Sequence, residues 1–245
     1  MWILVVIGTA FAGGGVLLGF LSRGYRTKVR RIEETPTSEI RNVRPGLAEI
    51  RGRIKAGGEP LASPLSGKPC VYYDFKVEEL HRRRSGRRGG SSTQWRTVVR
   101  DRQTAPFWVD DGTGQAEVEI EKADLILAAD AHARSGFLQD APPELEGMLR
   151  ERYGRSSQGL IFNKTMRYSE TILEEGDDLF VLGTAVRDAG ARPRFVKGDD
   201  AFVVSDSDEA SVLSSLRSSA MATAILGVVL GLGGVVAAAV GIANL

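Results

Sequence analysis

Two stretches of the chain carry no charged side chain, Trp2 to Leu21 and Ala220 to Ala243, and every acidic and basic residue lies between Arg23 and Arg217. An α-helix rises about 1.5 Å per residue, so roughly 20 apolar residues cover a bilayer core of about 30 Å. Each stretch therefore predicts a transmembrane helix, at residues 2–21 and 220–243. A signal peptide carries positive charge ahead of its apolar run. Here the charge follows instead, as Arg23, Arg26, Lys28, Arg30 and Arg31, which predicts a retained anchor. Basic residues beside a span stay on the cytoplasmic side. Both termini are thus expected outside and the polar middle in the cytoplasm.

Within that middle, residues 22–46 read as a basic, Pro-bearing connector. From Leu47 the texture becomes short apolar runs broken by Gly and Pro. Leu47 to Lys55 alternates apolar and polar, as a half-buried strand does. Cys70 to Glu78 is rich in aromatic and β-branched residues and predicts another strand. His81 to Gln94 has almost no apolar residue and reads as a mobile loop, after which Trp95 to Arg100 resumes a strand. Pro106 to Ile120 holds two alternating runs around Asp111-Gly112, the signature of a tight hairpin. Ala123 to Ala131 fits strand or helix, and Pro142 to Arg152 a short helix with Leu145, Met148 and Leu149 on one face. Strands are expected at 167–173, 178–188 and 195–205, and residues 206–219 as a helix connecting to the second span. Short strands with frequent turns and few helices predict a β-rich domain at 47–205, all-β or α+β. An OB-like barrel, in which strand-Asp-Gly-Thr-Gly-strand hairpins recur, is one form it can take.

Composition removes several chemistries. Of the 245 residues, 32 are basic and 31 acidic, and there is one cysteine and two histidines. A single cysteine makes no intrachain disulfide. Cys70, His81 and His132 are too few for a structural zinc site, so no metal or cofactor is expected. Cys70 opens an apolar strand and reads as structural, because a nucleophilic thiol needs a base partner. Asp110-Asp111-Gly112 reads as a turn, since a calcium loop needs more oxygen ligands at alternating positions. No catalytic residue is assigned. The polar feature that stands out is the block Arg82, Arg83, Arg84, Arg87 and Arg88, which suits an anionic surface, lipid head groups before nucleic-acid phosphates. Glycines four apart, Gly15 with Gly19 and Gly227 with Gly231, let helix backbones approach, either in a packed hairpin or in a homo-oligomer.

Taken in order, several segments resemble the GIDE-type family of membrane-anchored E3 ubiquitin ligases (MULAN/MAPL-like). They are Ile54 with the turn after it, Ser63-Pro-Leu-Ser-Gly-Lys-Pro-Cys-Val-Tyr-Tyr73, Trp95, Pro106 to Gly114, and Glu174 to Gly183. The resemblance implies a β-rich domain beside the membrane between two transmembrane helices. In eukaryotic members a RING follows the second helix and carries the ligase activity. A RING needs about eight Cys/His ligands, and none follows the second span before Leu245, so the ligase activity is carried onto no residue here. The expected function is a non-catalytic module that binds an unidentified protein partner or organises membrane assemblies. The alternatives are ubiquitin transfer with a RING supplied by another chain, and nucleic-acid binding by an OB-like domain.

Overall fold

Neither apolar stretch ends its helix where its charges begin. The computed structural model describes residues 2–84, 91–135, 143–158, 164–188 and 190–243. Helix α1 (Trp2–Glu34) leads through a single 3-10 turn (Ile40–Asn42) into β1 (Gly46–Ala56). The short β2 (Leu61–Ala62) and β3 (Pro69–Cys70) precede the long β4 (Tyr72–Arg84) and β5 (Ser91–Thr104). Then come β6 (Phe107–Asp110), β7 (Gln115–Val118), β8 (Asp124–Ile126), β9 (Ala131–Ser135) and α2 (Pro143–Tyr153). The chain closes with β10 (Met166–Leu173), β11 (Asp178–Val186), β12 (Arg194–Val196), β13 (Val203–Ser205) and α3 (Glu209–Ala243).

Strand β1 has a partner on each edge, and that closes a barrel. It pairs antiparallel with β6 and with β11. Strands β6 and β7 form the Asp-Gly hairpin, β7 runs parallel to β12, and β12 returns antiparallel to β11. The ring β1-β6-β7-β12-β11-β1 is the five-stranded Greek-key closure of an OB-like barrel. Alternate residues point inward because successive side chains leave a strand on opposite faces. Ile50, Ile54, Val109, Ala116, Val181 and Phe195 fill the interior, each fully buried. The 3-10 turn plugs one end with Ile40, whose backbone N–H donates to Asp111 Oδ2 at 2.8 Å. Beyond β12, the same edge of β11 carries β13, and β8 adds in parallel. The expected strand 195–205 is thus two strands, β12 and β13, and the turn between them ends in Phe202, which lies over Gly183 of β11.

A second sheet, ordered β5-β4-β10-β9 and antiparallel throughout, grows from two insertions into the barrel. Helix α2 covers it through Leu145 and Leu149, which share a core with Phe75, Val77 and Tyr168. The loop expected at 81–94 is shorter than the composition suggests. Paired backbone continues to Arg84 on β4 and resumes at Ser91 on β5, with Arg84 opposite Ser91. Cross-strand hydrogen bonds need no apolar side chain, so a ladder anchored by buried Phe75, Val77 and Val99 extends through polar residues.

Helices α1 and α3 pack antiparallel along their length. Gly8 lies against Ala238, Gly15 against Gly227 and Gly231, and Ser22 Oγ donates to the Ala220 carbonyl at 3.2 Å. The buried positions on this seam are Gly8, Gly15 and Ser22 on α1, and Ala220, Gly227, Gly234 and Gly241 on α3. They recur every seven residues, the repeat that keeps two helices in continuous contact. A Cβ placed on Gly15 would stand 2.7 Å from the Gly227 carbonyl oxygen, so the seam tolerates nothing larger than glycine there. The outer faces are apolar and open: Val16, Leu17, Phe20, Val228, Val229 and Leu232 are each at least 60% exposed. Both helices are long and apolar enough to cross a membrane.

Candidate functional site

The barrel sits on the helix pair through one apolar contact. Tyr25, Val29 and Ile32 fall on one face of α1 at spacings of four and three, and on α3 Leu216 follows Val212 and Leu213 by four and three. They meet the outward side chains Phe180 and Leu182 of β11, Val203 of β13 and Leu47 of β1. The apolar stripe of α1 lies inside what composition marks as a basic connector; its 25/29/32 spacing was the available signal. Ion pairs ring the contact: Lys28 to Asp124 at 2.7 Å, Arg31 to Asp200 at 2.6 Å, and Arg217 with Glu33.

Glu49 of β1 lies at this junction and is 1% exposed. Thr37 Oγ1 donates to its Oε1 at 2.5 Å, while Oε2 has no partner among the described residues. Burial raises its pKa to about 7, against the Thr37 hydrogen bond and with help from the negative charge of Glu209 at the start of α3. At neutral pH the protonated and ionised forms of this carboxyl therefore coexist in the folded state.

The sequence-predicted residues fall in different places. Arg82, Arg83 and Arg84 are on the distal end of β4, opposite Thr93, Ser92 and Ser91. Arg87 and Arg88 lie outside the described residues. Cys70 is 1% exposed, its Sγ 3.7 Å from the Leu61 carbonyl oxygen, and burial pushes the thiol up to about 11. His81 Nε2 is 3.8 Å from Glu79, and His132 is exposed on β9. Among the described residues no three His, Cys, Asp or Glu side chains are grouped to hold a metal ion.

The motif residues hold the fold together. Glu170 is fully buried and accepts the Leu65 and Ser66 N–H groups at 2.7 and 3.1 Å and the Ser66 hydroxyl at 2.7 Å, which fixes the Ser63–Pro69 turn. Trp95 lies under the Arg167 guanidinium, 4.5 Å from the ring centroid, while Arg167 forks onto both oxygens of Glu78. Asp111 Oδ1 accepts the Thr113 N–H and hydroxyl and the Gly114 N–H. Burial opposes ionisation of Asp111, but these bonds and the Ile40 N–H hold it below the usual carboxylate range. Gly112 takes φ +81, the conformation the turn demands of it. In the Glu174–Gly183 segment, Gly176 donates to the Ile54 carbonyl and Asp177 accepts from Ile54, locking the entry to β11 onto β1. Between α2 and the second sheet, Tyr153 donates to Asp101 at 2.6 Å and Arg152 bonds Tyr73 and Asp101, with Tyr73 pushed up to about 12 chiefly by burial.

An OB-like barrel with an inserted second sheet, carried on a glycine-packed apolar helix pair, defines a β-barrel module of membrane-associated type. The sequence profile of the GIDE family, described as an E3 ubiquitin ligase, matches residues 77–240, and the chain belongs to this family. The match runs from within β4 into α3 and includes Trp95, the Asp-Gly hairpin and the Glu174–Gly183 turn; Ser63 to Tyr73 lies outside it. No curated protein and no solved structure matches the chain.

Proposed function

We propose that this chain is a membrane-anchored, non-catalytic binding module of the GIDE family, with its barrel in the cytoplasm and both termini outside. The observation that carries the reading is the saturation of its motif residues. Asp110, Asp111, Asp177, Trp95 and Cys70 are each engaged by the protein itself, and the Ser63–Pro69 turn is held by Glu170, which leaves them a scaffold role. The basic residues after Leu21 support the orientation. The arginine block Arg82, Arg83, Arg84, Arg87 and Arg88 is the proposed contact to an anionic surface, most simply lipid head groups.

The family's description supplies a second reading, ubiquitin transfer with zinc ligands contributed by another chain. Nucleic-acid binding gains less support, because the outward side chains of β6 and β7 include Asp110 and Glu117, which repel phosphate. The deciding experiment places the full chain in nanodiscs with ubiquitin, activating enzyme, conjugating enzymes and ATP. The expected result is no acceleration of ubiquitin discharge from any conjugating enzyme. Acceleration by the chain alone would overturn the non-catalytic reading. The arginine block is tested separately by sedimenting chain-loaded neutral nanodiscs with added anionic vesicles. Binding is expected, weakened by salt and lost when the five arginines become serine; binding unchanged by the replacement would reject the contact.

A further inference from the structure

One side of the α1–α3 hairpin is hollow, and no side chain fills it. The groove holds about 650 Å³ and has Gly15, Gly19, Gly227 and Gly231 along its floor, between walls that include Val16 and Val235. Gly19 and Gly231 have open space where a Cβ would stand, whereas Gly15 and Gly227 face the opposite backbone. The Cβ positions of Gly19 and Gly231 thus stay open to the groove, while Gly15 and Gly227 close the helix contact beside them. Uncovered walls forfeit dispersion contacts until something occupies the space.

The domain end of the groove is marked by charge. Arg23 and Arg26, one turn apart on α1, both line it. The other charged side chains of this helix region shown in contact are paired: Lys28 with Asp124, Arg30 with Glu34, Arg31 with Asp200 and Glu33 with Arg217. The guanidinium groups of Arg23 and Arg26 make no ion pair or hydrogen bond among the described residues. They follow the last uncharged residues of the span directly, at the depth where lipid phosphates lie. The site is thus an apolar channel ending in two uncompensated cations.

We infer that this face of the hairpin is a binding site for one anionic phospholipid, its acyl chain on the glycine floor and its phosphate held by Arg23 and Arg26. The inference rests on the membrane-anchored reading. A second copy of the hairpin is the poorer occupant. Two copies related by an axis along the bilayer normal would bring Arg23 and Arg26 of each to the same depth, with like charges facing. A lipid phosphate removes that repulsion. A basic side chain near the surface attracts an anionic lipid by about 1 kcal/mol, so each arginine supplies roughly fivefold and the pair, reduced by salt screening, on the order of tenfold.

The test uses the full chain in nanodiscs of equal phosphatidylglycerol and phosphatidylcholine, released and weighed by native mass spectrometry. Phosphatidylglycerol is expected to be retained over phosphatidylcholine by on the order of tenfold. The R23Q/R26Q double variant is expected to retain both lipids equally. Gly19→Leu with Gly231→Leu fills the floor without entering the helix seam and is expected to abolish retention of either. Equal retention by the unmodified chain, or a preference that survives R23Q/R26Q, would overturn the inference, as would a lipid-free dimer as the dominant species. Alkaline extraction of the same membranes separates the two failures. A chain that leaves the membrane fails as an integral protein, whereas one that stays without lipid preference fails only in this site.

Discussion

Glu49 and Cys70 show how burial at single positions sets chemistry. The Glu49 carboxyl, raised from an ordinary 4.5 to about 7, keeps its proton in the fold at pH values where the unfolded chain has lost it. Folding stability is then full below about pH 4.5, falls as pH rises to about 7 and levels beyond it, because the folded state binds the extra proton. Glu49→Gln is expected to raise the melting temperature at pH 8, to leave it little changed at pH 4, and to flatten the slope between. Thermal melts of the full chain in nanodiscs across that range check the sign; a steeper slope in the variant would contradict it. Cys70 is expected to resist iodoacetamide at pH 8 in the folded chain and to react on denaturation, since its thiol titrates near 11 and is buried. Rapid alkylation of the native chain would contradict that assignment. The structural reading of Cys70 was available in the sequence because alternating apolar residues surround it. The stapling role of Glu170 was not, because its partners Leu65 and Ser66 are a hundred residues away in the chain and meet it only across β2, β3 and β10.

At the scale of elements, the decisive feature is the seven-residue spacing of small residues. The four-residue spacing pairs Gly15 with Gly19, yet only Gly15 is in the seam, and its partners in register are Gly8 and Ser22. A backbone contact between helices depends on which faces meet, and a list of glycines leaves that open. The account predicts a sharp asymmetry between neighbours. Gly15→Leu forces side-chain atoms into the α3 backbone and is expected to cost about 1–3 kcal/mol of stability. Gly19→Leu meets open space and is expected to cost little. Melting temperatures of the two variants in nanodiscs give the comparison, and equal losses would place the seam elsewhere. The β4–β5 hairpin teaches the complementary lesson. Side-chain polarity at His81 to Gln94 suggested a loop, but strand pairing is carried by backbone groups that hydropathy does not register.

For the whole molecule, the alternation of residues along β1, β6, β7, β11 and β12 made a β-rich domain between two apolar helices legible. Closure of the barrel was not, because the parallel pairing of β7 with β12 joins segments separated in the chain by four strands and a helix. The same holds for the seat of the barrel on the helices, where the stripe Tyr25, Val29 and Ile32 is hidden among basic residues. Once assembled, α1 and α3 place Gly8 beside Ala238 at one end and Glu33 beside Arg217 at the other, so both termini lie at the end of the hairpin away from the barrel. The central claim, a barrel held on one side of a membrane by a hairpin whose ends emerge on the other, is tested most directly by labelling in sealed cells. In a Cys70→Ser background, a cysteine at exposed Lys122 of the barrel is compared with one appended at Leu245, using a membrane-impermeant maleimide. The appended cysteine is expected to label in intact cells and the Lys122 position only after lysis. Labelling of both positions before lysis, or of Lys122 alone, would contradict the account.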